Sequence, residues 1–133
     1  MEKVKEVPYG VADFVMVMEQ NLYYVDKTMF IPELEKQPRN LFFIRPRRFG
    51  KSIFLSMLHS YYDCNQSAKF QSLFGNLWIG QHPTESQGKY QVLFLDFSQV
   101  SGNIDSLERN FDFYCSVKLD GFMRRYGESY SEE

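Results

Sequence analysis

One stretch of the chain, residues 40–58, places a strand pattern, a basic loop and a helix pattern in immediate succession. It reads "NLFFIRPRRFGKSIFLSML". The run "LFFI" is continuously apolar, which is typical of a strand buried on both faces of a parallel sheet. From Lys51 onward apolar residues recur every three to four positions, which predicts an amphipathic helix over "KSIFLSMLHSYYD". Because a loop between a buried strand and a helix N-terminus gathers backbone amides at one point, the stretch favours a bound anion.

The rest of the chain predicts a similar alternation of strands and helices. A second apolar run, "VLFLDFS" over residues 92–98, has strand length, and a long helix is predicted to begin near Asn103. Earlier segments predict a helix over "FVMVMEQ" capped by Asp13, a strand over "LYYV", and a helix over "KTMFIPELEK" that Thr28 could cap. Residues 64–91 are polar and turn-rich, so a surface excursion is expected there. The order β-α-β-α predicts an α/β fold with a partial parallel sheet flanked by helices.

The composition indicates the size of the domain and limits the partners that the chain can bind. The 133 residues, 44% hydrophobic and 24% charged, are typical of about one globular domain, and 13 Phe with 9 Tyr predict a core built largely from rings. The formal net charge of −2 argues against binding nucleic acid through bulk charge, so any attraction for anions must be local. No signal-peptide pattern is present, and no apolar run approaches about 18 residues, so we expect a cytoplasmic protein without membrane contact.

The loop carries the residue types that phosphate binding needs. Gly50 lets the backbone approach a phosphate, the Lys51 ammonium can reach the β- and γ-phosphates, and the Ser52 hydroxyl can bind Mg²⁺. The strict pattern G-x-x-x-x-G-K-[ST] has glycine where this chain has Arg45, so the motif is a variant. Two interpretations therefore stand at this point, a phosphate-binding loop and a merely basic turn.

The stretch "RPRRFGKSIFLSMLHSYYD" resembles the nucleotide-binding loop and following helix of the AAA-ATPase-like family of bacterial proteins, which typically carry arginine and proline where other P-loops carry glycine. The similarity continues through "VPYGVADF", "YYVDKTMFIPELE", "LFGNLWIGQHP" and "VLFLDFS". It implies a P-loop NTPase-like fold with ATP and Mg²⁺ as cofactors, and Ser52 as the metal ligand. The cofactor-binding residues expected from this loop are Arg47, Arg48, Phe49, Gly50, Lys51, Ser52 and Ile53.

The same resemblance implies that residues 1–133 are the N-terminal portion of the domain, truncated before the Walker B strand. No catalytic residue is assigned, and ATP hydrolysis is expected only in a longer chain. Members of the family often carry a restriction-endonuclease-like nuclease domain, so nucleic acid is an expected partner only through a domain absent here. Self-association, or contact with the missing C-terminal region, is expected as well.

Several residues keep two interpretations. Arg47 and Arg48 are predicted either to contact the triphosphate or to form structural salt bridges. Asp96 ends the second predicted strand, and it either contacts the metal site or only supports the end of the strand. His59 and His82 lack a paired nucleophile and are predicted to be surface or hydrogen-bonded histidines. The alternative function is a non-hydrolysing interaction module that binds phosphate or the nucleic-acid backbone.

A few further residues receive structural predictions. Asp26 and Lys27, in "YVDKT", are expected to cap a helix and to dock the N-terminal segment near the nucleotide. Cys64 and Cys115 have no zinc-binding spacing and are expected to be reduced. Trp78 is expected to be a local hydrophobic anchor.

Overall fold

The structure is a computed structural model that describes residues 4–6, 13–42 and 51–127. The chain divides into two compact units, Met1–Tyr90 and Gln91–Glu133, called here the N-terminal and C-terminal units. The described residues form the α-helices α1 (Phe14–Glu19), α2 (Ile31–Glu35), α3 (Lys51–Tyr62), α4 (Phe70–Phe74), α5 (Trp78–Gln81) and α6 (Ile104–Tyr126). Single 3₁₀ segments lie at Thr28–Phe30, Cys64–Lys69 and Phe97–Gln99.

The core of the N-terminal unit is aromatic, as the composition predicts. The ring of Phe14 stacks on that of Phe74 with centroids 4.9 Å apart, and Tyr61 meets Phe74 edge-on at 5.6 Å. Tyr24 approaches Phe14 edge-on at 5.3 Å. These geometries are the ones that aromatic pairs favour. The buried cluster consists of Phe14, Ile31, Phe54, Met57, Tyr61, Leu73, Phe74, Leu77 and Ile79.

Helices α1 and α3 form where the sequence predicts them. The Asp13 carboxylate caps α1 by accepting hydrogen bonds from the amides of Val15 (2.9 Å) and Met16 (3.3 Å). Helix α1 packs on α3, and the Phe14 amide donates to Ser56 Oγ of α3 at 3.0 Å. The two amphipathic patterns therefore fold into the same layer.

The C-terminal unit consists of α6 and the segment that precedes it. Asn103 caps the helix, because its side-chain oxygen accepts from the Ser106 amide at 3.0 Å. Arg124 and Arg125 in the last turn complement the helix dipole. The ring of Phe97 packs against that of Phe111 on α6 with centroids 5.4 Å apart. The long helix predicted near Asn103 is therefore confirmed.

The predicted parallel sheet is wrong. Within residues 4–6, 13–42 and 51–127 the structure has no strand, and Asp63 and Tyr90 form an isolated parallel β-bridge there. The segments "LYYV" and "VLFLDF" have strand composition, but neither has a neighbouring strand among these residues. A strand is stable only when its backbone groups pair with another strand. Of "LFFI", Leu41 and Phe42 lack regular structure, and the other two residues lie outside the described ranges.

The expected surface excursion over residues 64–91 is also wrong in part. Helices α4 and α5 lie inside it and contribute Leu73, Phe74, Leu77 and Ile79 to the main core. Their apolar residues are too few to show a helical period, so the turn residues around them dominated the pattern. The helix predicted over "KTMFIPELEK" is split into a 3₁₀ turn and α2, with a proline in the first turn of α2.

Candidate functional site

The described part of the predicted nucleotide site is the first turn of α3. The helix begins at Lys51, Ser52 is exposed, and Ile53 is half-buried against the core cluster. The first amides of any α-helix lack partners inside the helix and carry partial positive charge. The remaining predicted ligands, Arg47, Arg48, Phe49 and Gly50, lie outside the described residues, as does Arg45.

The body of α3 is held firmly on its other side. Phe54, Met57 and Tyr61 are buried, 6% or less exposed, and lie on one face of the helix. Ser56 accepts the amide of Phe14 from α1. In the first turn Ile53 already packs against the core cluster, whereas Ser52 beside it is exposed.

The C-terminal end of α3 is capped by the segment 84–90. The Gly88 amide donates to the carbonyl of Tyr61 at 3.0 Å, and the Tyr90 amide donates to the carbonyl of Tyr62 at 2.9 Å. These bonds satisfy carbonyls that a helix end leaves without an internal partner. The segment is also tied by its Thr84 side chain, which hydrogen-bonds the Tyr61 hydroxyl at 2.8 Å.

A carboxylate joins this segment to α2. Glu35 Oε1 accepts from Thr84 Oγ1 at 2.8 Å and from the Tyr62 hydroxyl at 2.9 Å. Burial, followed by the hydrogen bond to Glu35, raises the pKa of the Tyr62 hydroxyl above its ordinary value. A phenol held neutral in this way donates a hydrogen bond and is a poor nucleophile, so the cluster is structural.

Each histidine lies beside a residue four positions away in the sequence. His59 Nε2 lies 3.4 Å from Oδ2 of the buried Asp63, which also accepts from the Asn65 amide at 3.0 Å. His82 Nδ1 lies 3.0 Å from the Trp78 carbonyl, and its ring stacks on the indole with centroids 4.5 Å apart. Within the described residues no group of three or more His, Cys, Asp or Glu side chains is placed to hold a metal ion.

Asp26 has a role wider than the one predicted for it. Its Oδ1 accepts from the amide (2.9 Å) and hydroxyl (2.6 Å) of Thr28, and its Oδ2 accepts from the Trp78 amide at 2.8 Å. Thr28 Oγ1 in turn accepts from the Ile79 amide at 3.1 Å. Residues from the N-terminal segment thus cap α5 across about fifty positions of sequence. Lys27 makes no side-chain cap bond.

This remote cap was missed in the sequence, as was the cluster around Glu35. The signal for the cap was the start of α5. Leu77 occupies its N-cap position and makes no side-chain bond to the helix. A helix that begins without Ser, Thr, Asp or Asn at its N-cap position needs another partner for its first amides.

Asp96 lies in the C-terminal unit and binds locally. Its Oδ1 accepts from Ser98 Oγ (2.6 Å) and from the Ser98 amide (3.0 Å), capping the 3₁₀ turn Phe97–Gln99. The hydrogen bond from the Ser98 side chain, followed by that from its backbone, holds the pKa of the Asp96 carboxyl below its ordinary value. The carboxylate therefore acts as a turn cap; the strand whose end it was predicted to support is not formed. Cys64 and Cys115 are free thiols.

Comparison with known proteins decides the family. The model of the AAA-ATPase-like family, described as "Predicted AAA-ATPase", matches residues 8–133. The chain belongs to this family. A curated relative, "Uncharacterized protein in vnfD 5'region" of Azotobacter chroococcum mcd 1, is 43% identical over 87 residues, which cover 59% of this chain and 16% of that protein. The AAA-ATPase-like chain thus spans about a sixth of the length of this relative.

Two further comparisons concern structure. No solved structure matches the chain. Over the described residues, none of the helices combines the length and the apolar character required to cross a bilayer. The resemblance found in the sequence is confirmed at the level of the family.

Proposed function

We propose that the chain binds ATP with Mg²⁺ through the variant loop "RPRRFGKS" at the start of α3. The observation that carries this proposal is the position of Lys51 and Ser52 in the first turn of a helix from a predicted AAA-ATPase family. The family makes an ATPase-like function the general expectation. The specific ligand and its contacts are our inference from the residues.

The chemistry assigned to this chain uses three kinds of group. The Lys51 ammonium would bind the β- and γ-phosphates, and backbone amides at Gly50 and the helix start would surround them. The Ser52 hydroxyl is exposed, which suits direct contact with Mg²⁺. Arg47 and Arg48 would add positive charge around the triphosphate. The magnesium ion, when bound, would neutralise charge on the phosphate oxygens.

Calorimetric titration with Mg-ATP tests the proposal. Lys51→Ala should weaken binding by at least about tenfold, because a charge-assisted hydrogen bond contributes about 1.5–3 kcal/mol. Lys89→Ala is the matched control, since Lys89 is an exposed lysine in the segment that caps the far end of α3, and it should leave the affinity unchanged. Equal affinities of wild type and Lys51→Ala would refute the assignment.

A parallel titration distinguishes the alternative function. If the loop serves a phosphate- or nucleic-acid-binding module, single-stranded DNA should displace a fluorescent ATP analogue, and the displacement should weaken with salt. The ATP assignment expects no such competition, because amides converging on one point suit a compact polyphosphate.

We also expect residues 1–133 alone to show no appreciable ATP turnover, since a P-loop binds the phosphates but does not position the attacking water. Mg²⁺-dependent hydrolysis lost in Lys51→Ala would contradict that expectation.

A further inference from the structure

Residues 91–96, called here the extended segment, run along α6 in the C-terminal unit. The Tyr126 hydroxyl accepts from the Val92 amide at 3.1 Å and lies 3.5 Å from the Val92 carbonyl. Four residues later the Asp96 amide donates to the Tyr114 hydroxyl at 2.6 Å. The two tyrosines are twelve positions apart, about 18 Å along the helix. The backbone from Val92 to Asp96 is about 13 Å long if it is extended but only about 6 Å if it is helical. Only the extended form approaches the separation of the two tyrosines.

Alternation in an extended chain fixes the direction of the other backbone groups. In a strand the N–H and C=O of one residue point to the same side, and those of the next residue point to the opposite side. Since Val92 and Asp96 point toward the tyrosines of α6, Leu93 and Leu95 point away. No hydrogen bond within the described part of the chain involves the backbone of either leucine. Their side chains are also exposed, at 41% and 38%.

We propose that this outer edge pairs with the same edge of a second copy of the chain, forming an antiparallel two-stranded ladder centred on Phe94. In this register Leu93 lies opposite Leu95 of the second copy, and Leu95 lies opposite its Leu93. Each of these pairs exchanges both N–H···O=C bonds, so the four outward groups of each chain are satisfied together. An edge with unpaired N–H and C=O groups and apolar side chains is a template for strand addition.

Charge selects the antiparallel arrangement and the second copy. The extended segment carries one charge, Asp96. Parallel in-register pairing would place the two carboxylates side by side, which is destabilising. Antiparallel pairing about Phe94 places each Asp96 opposite Val92, with the carboxylates at opposite ends of the ladder, about 13 Å apart. The segment "VLFLD" therefore complements itself in a single register, and the bonds to α6 stay intact.

Sedimentation of the 133-residue chain over a concentration series tests the association. We expect a mass that rises from the 15.8 kDa monomer toward twice that value. Leu95→Pro removes one outward N–H from each copy and should raise the dissociation constant at least about tenfold. Phe113→Lys is the control, because Phe113 is an exposed apolar residue of α6, 72% exposed, outside the extended segment. A monomer at every concentration, or equal effects of the two variants, overturns the proposal.

Disulfide trapping tests the register without relying on Leu95→Pro folding correctly. The experiment uses a Cys64→Ser/Cys115→Ser background, so that an introduced cysteine is the only thiol in the chain. In the proposed register residue 94 of one copy lies opposite residue 94 of the other, and the Cβ atoms of such a pair are about 4.5–5.5 Å apart. Phe94→Cys should therefore give a covalent dimer on mild oxidation, whereas Leu93→Cys alone should not. Equal dimer yields from Leu93→Cys and Phe94→Cys, or none from Phe94→Cys, would overturn the register and with it the proposal.

Discussion

Replacement of Asp26 by alanine should destabilise the N-terminal unit more than the loss of an ordinary surface carboxylate. The side chain accepts three hydrogen bonds, two from Thr28 and one from the Trp78 amide. Hydrogen bonds to a charged group contribute about 1.5–3 kcal/mol each when buried. Asp26 is half-buried, so water can replace part of the loss. We therefore expect the free energy of unfolding to fall by about 2–4 kcal/mol.

The assay is urea unfolding followed in parallel by circular dichroism and tryptophan fluorescence. Trp78 is the only tryptophan in the sequence, and its own amide is held by Asp26. Its fluorescence therefore reports directly on the cap of α5. The midpoint should fall in both signals, with the urea dependence unchanged, if the unit stays cooperative.

Two further variants separate the cap from general effects of charge removal. Glu33→Ala removes an exposed carboxylate that pairs with Lys36 at 3.1 Å, and it should change stability by about 0.5 kcal/mol or less. Asp26→Asn keeps an acceptor for Thr28 but turns an NH₂ donor toward the Trp78 amide. Its loss of stability should therefore lie between those of Asp26→Ala and Glu33→Ala. A loss in Asp26→Ala no larger than in Glu33→Ala would refute the reasoning.

Three more outcomes follow from the packing and the pKa values. Gly80→Ala would place a Cβ in steric overlap with the Phe74 carbonyl oxygen, and urea unfolding should show that the free energy of unfolding falls by at least about 2 kcal/mol. A Cβ added at Gly121 in α6 would meet no described atom within 4 Å apart from the helix's own backbone. Gly121→Ala should therefore raise the free energy of unfolding by about 1 kcal/mol in the same measurement, and a decrease would contradict this. Burial, followed by the Asp26 charge, raises the pKa of the Tyr24 hydroxyl to about 12. Since the folded state favours the neutral phenol, this stabilisation is complete below about pH 10 and is lost as the pH rises toward 12. Unfolding measured from pH 9 to 12 should show a smaller alkaline loss in Tyr24→Phe than in wild type, and equal losses would count against the buried phenol.

The helices were predictable because their signals are local. Asp13 and Asn103 each precede an apolar pattern, and each caps the predicted helix in the structure. The period of α3 likewise places Phe54 and Tyr61 on its apolar stripe, and both are buried, whereas Leu55, which the same stripe includes, is exposed. Capping and amphipathic spacing act within a few residues, so the sequence alone contains what is needed.

The sheet and the remote cap depend on residues far apart in sequence, and they were not predictable in the same way. Composition predicts a strand over residues 92–98, but a strand also needs a neighbour, and the hydroxyls of Tyr114 and Tyr126 contact the backbone of this segment instead. The cap formed by Asp26 at the start of α5 joins positions 52 residues apart. No periodicity within either segment specifies the other.

The structure places Ser52 apart from the residues that anchor α3, whereas Ile53 packs against the core cluster. Ser52 is exposed, whereas the buried contacts of the helix begin at Phe54 and its last carbonyls are capped by the amides of Gly88 and Tyr90. A substitution at Lys51 or Ser52 therefore leaves the buried contacts from Phe54 onward and the C-terminal cap in place. Loss of ATP binding in Lys51→Ala, without loss of stability, can then be attributed to the phosphate contact. The binding test on Lys51 is interpretable because the buried residues that anchor α3, Phe54, Met57 and Tyr61, begin three positions after this lysine.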